Sequence, residues 1–239
     1  MDKKVILIQG AMDIEINYFL SKMKNKEEEI IAGYEFYKGF INDVKVIISK
    51  TLIGVMNSSM ATTIGIIKFR PDIIINQGIA GAYRENLHIG DIIIGEKCRN
   101  INAYNMPFKA KGEGVNPFEW ELNARAKEIK FADSKLVNVL EKLLKNINEN
   151  KVCKGILGSG DVFNREYDRI SWIKNNFNND CEDMESMSCY SVCEQFKIPC
   201  VGVRIISNNE LLQEDLDTEK AIELQKLLFR VLKELSMQI

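Results

Sequence analysis

The chain has 239 residues, which is enough for one large α/β domain or two small ones. A hydrophobic fraction of 46% and a charged fraction of 28% indicate a globular protein with a sizeable core. The formal net charge of -2 at pH 7 excludes the basic surface that a nucleic-acid backbone requires, so we expect no nucleic-acid partner.

Targeting and cysteine patterns indicate a cytoplasmic protein with no membrane partner. No stretch approaches the ~20 apolar residues that span a bilayer, and the apolar run at residues 5–8 is too short for a signal peptide. The six cysteines include no C-x-x-C pair, so we expect buried thiols in a reducing compartment. The single histidine, His88, excludes Ser-His-Asp and multi-histidine zinc chemistry, and we predict no metal site.

The hydrophobic pattern predicts alternating strands and helices. In chain order we expect a strand at residues 5–9, a helix beginning near Ile14, paired strands at 33–40 and 44–49, and a helix at 57–69. Strands at 72–78 and 90–95 follow, each ending at a glycine, then an irregular loop at 100–120, a helix at 134–147 and a strand at 152–158. A helix at 184–196, a strand at 199–206 and a helix at 218–235 complete the pattern.

This alternation, without a linker or an internal repeat, predicts one mixed sheet covered by helices on both faces. We therefore expect residues 1–239 to form a single α/β domain. The mixed-charge run at residues 22–29 is interpreted as a solvated helix end or loop.

Four strand ends carry candidate ligand-binding segments, at residues 10–15, 78–82, 158–164 and 204–209. Small molecules bind beyond the carboxyl ends of strands in such sheets. Neither a dinucleotide fingerprint nor a P-loop is present, so we predict no nucleotide cofactor, and no cofactor of any kind.

Acidic residues cluster at 182–185. We expect Glu182 and Asp183 to be surface residues that complement a helix dipole. Glu185, between two methionines, would need a partner if it faces a pocket, and a sugar diol suits a carboxylate because one carboxylate accepts two hydroxyl protons.

Five motifs occur in a fixed order along nearly the whole chain. They read I-x-G-A-M-x-x-E at residues 8–15, P-D-x-I-I-N-x-G-x-A-G at 71–81, S-G-D-x-F at 159–163, M-E at 184–185 and V-R-x-I-S at 203–207. Together they resemble the purine nucleoside phosphorylase superfamily, and within it the 5′-methylthioadenosine/S-adenosylhomocysteine nucleosidases. The resemblance implies a three-layer α/β/α sandwich whose mixed central sheet is partly barrel-like.

The resemblance also implies residue roles. Glu15 would activate the attacking water, Arg204 would help place that water and orient Glu15, and Glu185 would hold the ribose 2′ and 3′ hydroxyls, assisted by the backbone of Met184. Further pocket residues would be Phe163, stacking on the purine, Met12 and Ile53, lining the ribose and the 5′ side, and Ile79, Ala80, Gly81 and Ser207.

A purine nucleoside is thus the expected small-molecule partner, and a role in methionine salvage follows. A homodimer is also implied, with residues 100–120 as a candidate dimer element.

Hydrolysis is favoured over phosphorolysis. Related phosphorylases carry an arginine where this chain has Asn76, and Asp13 and Glu15 bring acids to the first loop. A carboxylate near the nucleophile repels phosphate and suits water.

Asn208 departs from the nucleosidase pattern, which has an aspartate there that protonates N7 of the leaving adenine. An amide is no Brønsted acid in the working range, but it can donate a hydrogen bond to the departing purine. Asn164, where the family usually has an apolar residue, offers a second polar contact to the base. The alternatives to an adenine nucleosidase are therefore a nucleosidase for a 6-oxopurine nucleoside and a binding protein with weakened turnover.

Overall fold

The computed structural model describes residues 4–239. Within that range the helices are α1 Asp13–Lys22, α2 Val55–Phe69, α3 Ser134–Lys145, α4 Tyr167–Phe177, α5 Ser186–Phe196 and α6 Lys220–Gln238. The strands are β1 Val5–Gly10, β2 Lys24–Ile31, β3 Tyr34–Ile41, β4 Val44–Lys50, β5 Ile73–Ala82, β6 Ile92–Asn100, β7 Tyr104–Asn105, β8 Glu121–Leu122, β9 Ile129–Phe131, β10 Val152–Ser159, β11 Cys181–Asp183 and β12 Cys200–Asn209.

Ten of these strands form one mixed sheet in the order β11-β10-β6-β12-β5-β1-β4-β3-β2, with β9 beside β6. The pairs β1–β4, β1–β5, β5–β12 and β6–β10 are parallel, whereas β6–β12 and β2–β3–β4 are antiparallel. The sheet also closes on itself, because Gly81 and Ala82 of β5 pair with β11. Strands β5, β12, β6, β10 and β11 thus form a ring, which confirms the partly barrel-like sheet.

Helices cover both faces of the sheet, as the alternating side chains of its strands require. In β1, Ile6 and Ile8 belong to a core shared with α1, α3 and α6, while Leu7 belongs to a core shared with α2 and α5. Both cores are built largely from buried aliphatic side chains. The three-layer α/β/α architecture is therefore confirmed.

Two strands run beyond the glycine at which they were expected to end. Strand β5 continues through Gly78 to Ala82, and β6 continues through Gly95 to Asn100. Both glycines stay in extended backbone, and each is needed for space: a Cβ on Gly78 would collide with the Glu15 carboxylate, and one on Gly95 with Leu157. Here glycine allows a close approach to the strand instead of ending it.

The charged run at residues 22–29 was wrongly interpreted as a helix end or loop. Most of it lies in β2, which pairs with β3 at the outer edge of the sheet. Its side chains are mostly exposed. Charged side chains on an edge strand discourage further strand pairing, so this composition suits the edge.

Residues 100–120 are mainly irregular, as expected, but they are anchored by aromatic packing. The rings of Tyr104 and Trp120 stack with centroids 4.4 Å apart, and Trp172 meets both edge-on. Trp172 belongs to α4, a helix that the sequence pattern did not predict. Across residues 4–239, none of the helices combines the length and apolar character needed to traverse a lipid bilayer.

Candidate active site

A cavity of about 260 Å³ lies beyond the carboxyl ends of β1, β5, β11 and β12. Most of the predicted site residues line it: Met12, Glu15, Ile53, Ile79, Ala80, Gly81, Phe163, Met184, Glu185, Ser207 and Asn208. The remaining lining residues, which the sequence did not single out for this pocket, are Ala11, Glu182, Asp183 and Leu216. Arg204 and Asn164 lie outside the cavity wall.

Glu15 sits in the first turn of α1, directly after β1. Its Oε2 accepts hydrogen bonds from the backbone N–H of Ala11 at 2.7 Å and of Met12 at 3.1 Å, and its Oε1 accepts from Ile79 at 3.1 Å. The carboxylate is almost fully buried. The start of a helix and the middle of β5 therefore hold one carboxylate in a fixed orientation within the cavity.

Burial raises the pKa of Glu15 above its ordinary value, while the Arg204 charge and the three backbone N–H groups oppose that rise. A carboxylate with a raised pKa is a stronger base, and bases work best when their pKa approaches the working pH. The site therefore supports proton abstraction at this position.

Glu185 lies immediately before α5, two residues after β11, so the predicted helix start at residue 184 is two residues early. Its Oε1 accepts a hydrogen bond from the Gly54 backbone N–H at 3.0 Å. Burial, followed by repulsion from Asp183 and Glu15, raises its pKa to about 8. Glu15 and Glu185 line the same cavity, so one small ligand can contact both carboxyl groups.

Asp183 is buried, so its expected surface position is wrong. Its carboxylate accepts hydrogen bonds from the backbone N–H groups of Glu185 and Ser186 and from the Ser186 hydroxyl, at 2.5–3.0 Å. It also forms an ion pair with Arg204, with Nε 3.1 Å from Oδ2. Asp183 therefore fixes the turn that carries Glu185 into the cavity.

Arg204 makes no hydrogen bond to Glu15, whose carboxylate it was expected to help orient. All five of its N–H groups have partners in the surrounding protein: Asp183, the Ser186 hydroxyl, the Val203 carbonyl, and both the backbone and side-chain oxygens of Asn76. Its charge nevertheless lowers the pKa of both Glu15 and Glu185. Arg204 is thus a buried positioning residue.

Asn208 lines the cavity, and both ends of its side-chain amide are held by hydrogen bonds. Its Nδ2 donates to Oε1 of Glu210 at 2.6 Å, and its Oδ1 accepts from the Ser207 hydroxyl at 3.0 Å. These contacts fix which edge of the amide carries the N–H groups. One Nδ2 hydrogen remains for a ligand.

Glu182 is also buried, contrary to its expected surface position. Its Oε1 accepts from the backbone N–H of Asn164 at 2.9 Å, and its Oε2 accepts from the Tyr83 hydroxyl at 2.5 Å and from Nδ2 of Asn164. The Asn164 side chain thus turns toward Glu182 and does not line the cavity. Leu216 reaches the cavity from the segment between β12 and α6, which only the fold brings there.

The lining contains four acids and no cation: Glu15, Glu182, Asp183 and Glu185 carry all of its ionisable groups. Apolar surfaces from Phe163, Ile79 and Leu216 complete it. This combination suits a neutral molecule with several hydroxyl groups and a flat apolar base, and it disfavours an inorganic anion.

The chain matches the model of the Phosphorylase superfamily over residues 5–236. The solved structure of a 5′-methylthioadenosine/S-adenosylhomocysteine nucleosidase from Neisseria meningitidis superposes with a TM-score of 0.81 at 22% identity, covering 97% of this chain and 99% of that one. A futalosine hydrolase mutant from Helicobacter pylori strain 26695 superposes with a TM-score of 0.80 at 25% identity, covering 97% and 99%. The fold and the site define a member of the phosphorylase superfamily.

A 5′-methylthioadenosine/S-adenosylhomocysteine nucleosidase from Bacillus velezensis is 31% identical over 225 residues, which are 91% of each chain. The present chain therefore belongs to the 5′-methylthioadenosine/S-adenosylhomocysteine nucleosidase family within that superfamily. The resemblance carried by the five strand-end motifs is confirmed.

The raised pKa values of the cavity acids predict that the free energy of unfolding falls as pH rises. Folding raises the pKa of Glu185 to about 8 and that of Glu182 to about 7, so the folded state binds protons more tightly than the unfolded state. Their stabilising contribution is present below pH ~4.5 and is lost as pH rises through 7 and 8. We expect the Tm of the ligand-free protein to fall between pH 5.5 and 8.5 by calorimetry.

Glu185→Gln should reduce the slope of Tm against pH, because the amide does not titrate and only the other cavity acids still do. Glu149→Gln, at an exposed carboxylate, is the control and should leave the slope unchanged. A Tm that stays constant or rises over this window would contradict the raised pKa values.

Proposed function

We propose that this chain hydrolyses the N-glycosidic bond of a 5′-substituted purine nucleoside, with 5′-methylthioadenosine and S-adenosylhomocysteine as the leading substrates. The observation that carries the proposal is that Glu15 and Glu185 line one cavity. One carboxylate is then available for a water and the other for a ribose. The names of the relatives support the same reaction and the same substrates.

In the proposed reaction, Glu15 accepts a proton from a water as the water oxygen bonds to C1′ of the ribose. The C1′–N9 bond breaks, and its electron pair leaves with the purine. Glu185 accepts hydrogen bonds from the 2′ and 3′ hydroxyls and thereby orients C1′ toward the water. Phe163 offers a ring face for stacking on the purine.

Water is the proposed nucleophile because the cavity wall carries only negative ionisable groups. Phosphate binding calls for arginines or converging N–H groups. The buried guanidinium of Arg204 donates all of its N–H groups to protein acceptors, and Arg165, whose guanidinium lies over the Phe163 ring, is not part of the cavity lining. Asn76, at the position where related phosphorylases carry an arginine, is used to bind Arg204.

The departing purine would receive a hydrogen bond from the remaining Nδ2 hydrogen of Asn208. A neutral amide stabilises developing negative charge at N7 without transferring a proton. This contact is compatible with both a 6-aminopurine and a 6-oxopurine, and the similarity to a futalosine hydrolase keeps the second class as the alternative. A binding protein without turnover is disfavoured, because binding alone has no need for Glu15.

We also propose that residues 1–239 act as one domain, in the cytoplasm and as a homodimer. Six free cysteines support a reducing compartment, where thiols stay unpaired. The dimer proposal rests on exposed apolar side chains, of which Ile53 and Phe163 line the cavity. The others are Met56, Met60 and Ile67 on α2 and Met106, Phe108 and Val115 in the 100–120 segment.

The catalytic proposal is tested by base release from a panel of purine nucleosides, with and without inorganic phosphate. We expect phosphate-independent release, and Glu15→Gln should lower kcat by about 10²–10⁴-fold, because general base catalysis is lost. Binding of adenine to that variant should persist. Asp13→Asn, an exposed acid in the same helical turn, is the matched control and should retain activity. Base release that strictly requires phosphate, or full activity of Glu15→Gln, would contradict the proposal.

A second prediction concerns Asn208→Asp. The new carboxyl would lie beside the buried carboxylate of Glu210. Two carboxyl groups this close hold one proton between them near neutral pH, and that proton is within reach of the base. We expect it to supply an acid to N7 and to raise adenine release from 5′-methylthioadenosine by at least about tenfold. Steady-state kinetics check this result. Equal or lower turnover would mean that protonation of the base does not limit the rate.

The dimer is tested by sedimentation of a Met56→Glu, Met60→Glu double variant. These two side chains lie one turn apart on the same face of α2, so two charges should break an apolar contact and give a monomer. Met237→Glu, equally exposed but on α6, is the control. A wild-type protein that sediments as a monomer at micromolar concentration would refute the dimer.

A further inference from the structure

Glu182 is the cavity acid that the proposed reaction does not use. Glu15 is assigned to the water, Glu185 to the ribose and Asp183 to the Arg204 ion pair, whereas Glu182 lines the same cavity with no task. A buried carboxylate is costly unless its environment or a ligand satisfies it. Its presence in the wall of a purine-sized cavity therefore calls for a role.

The carboxylate of Glu182 is held firmly and is not saturated. Oε2 accepts from both the Tyr83 hydroxyl and the Asn164 side chain, but Oε1 accepts only from the Asn164 backbone. Each carboxylate oxygen takes about two hydrogen bonds, so Oε1 retains one position for a ligand. Asn164 and Tyr83 act as positioning residues for this acid.

Glu182 and Asn208 flank the same point of β5 from opposite sides. Both pair with Gly81, Glu182 through β11 and Asn208 through β12. Neighbouring strands lie ~4.8 Å apart, so the two backbones are separated by roughly 10 Å across Gly81. Both side chains line the cavity, and the Glu210 carboxylate lies over Gly81 between them. A purine with N7 at Asn208 would turn its N1 side toward Glu182.

Resting on the proposed function, we propose that Glu182 reads N1 of the purine and lets one site serve two base classes: as the acid it donates to N1 of a 6-aminopurine, and as the carboxylate it accepts from N1–H of a 6-oxopurine. The chemistry of the bases requires this complementarity, because N1 carries a lone pair in the first class and a hydrogen in the second. The Asn208 amide donates to N7 in either class and does not discriminate.

The surroundings of Glu182 keep both of its forms accessible near neutral pH. Burial raises its pKa to about 7. The hydrogen bonds from Tyr83 and Asn164 oppose that rise, whereas the buried Glu210 carboxylate, directly after β12, adds to it. Of the other charged groups nearby, Asp183 is paired with Arg204, and the Arg165 Nε lies 3.9 Å from Glu210.

The test compares a 6-aminopurine nucleoside, 5′-methylthioadenosine, with the matching 6-oxopurine nucleoside, 5′-methylthioinosine. Effects of pH that are common to both substrates cancel in the ratio of their kcat/KM values. If the acid serves one and the carboxylate the other, the ratio falls about tenfold per pH unit, or about 100-fold from pH 6 to pH 8. A ratio independent of pH in the wild-type protein would overturn the inference.

Two variants separate this role from a structural one. Glu182→Gln keeps a neutral group that offers either an N–H or a C=O, so the variant should still cleave both substrates. The ratio of their kcat/KM values should no longer depend on pH. Tyr83→Phe removes a hydrogen bond that lowers the pKa of Glu182, so the pH at which the two kcat/KM values are equal should rise. Tyr37→Phe removes a tyrosine–glutamate hydrogen bond on β3, outside the cavity lining. It should not change the pH at which the two kcat/KM values are equal. A slope that survives in Glu182→Gln would overturn the inference.

Calorimetric binding of adenine and hypoxanthine over the same pH range makes the test independent of turnover. Opposite pH trends for the two bases support the role of Glu182 even if neither nucleoside is cleaved, in which case only the proposed function fails. Cleavage together with parallel pH trends removes the role of Glu182 and leaves the hydrolase intact.

Discussion

The ion pair between Arg204 and Asp183 is the interaction on which the site depends. Both side chains are buried, and every N–H of the guanidinium donates to an acceptor on β5, β11, β12 or the start of α5. Removing one partner of such a pair leaves an uncompensated buried charge, which typically costs ~3–5 kcal/mol. Through Asp183 the pair also fixes the turn that presents Glu185 to the cavity.

The same pair makes an acidic cavity tolerable. Four carboxyl groups line one small cavity. Burial raises the pKa of Glu185 and Glu182 into the neutral range, with repulsion from Asp183 and Glu15 adding to the rise at Glu185 and repulsion from Glu210 adding to it at Glu182. A ligand with hydroxyl and N–H donors would lower this electrostatic free energy, while an anion would increase it. The electrostatic character of the cavity thus favours a neutral ligand over an anion.

The sequence was a good guide wherever one short segment contains both the strand end and the side chain it presents. Glu15 and Met12 follow β1 directly, and Phe163 follows β10 within a few residues, so their place at the edge of the sheet could be read from the local pattern. It was a poor guide for Glu182 and Asp183. Acids at a helix start are usually exposed, but β11 pairs with both β5 and β10, and that pairing buries them.

By itself the sequence determined most of the elements and their order, the superfamily and the identity of the two central acids, because these depend on local periodicity and on motifs within single segments. It did not predict β2 or α4. Only the tertiary structure decided that β5 runs past Gly78, that Arg204 has no donor left for a water, and that Glu182, Asn208 and Leu216 share a wall. Each of these depends on which distant strands become neighbours. Burial and hydrogen-bond saturation are properties of that neighbourhood and not of the segment that carries the residue.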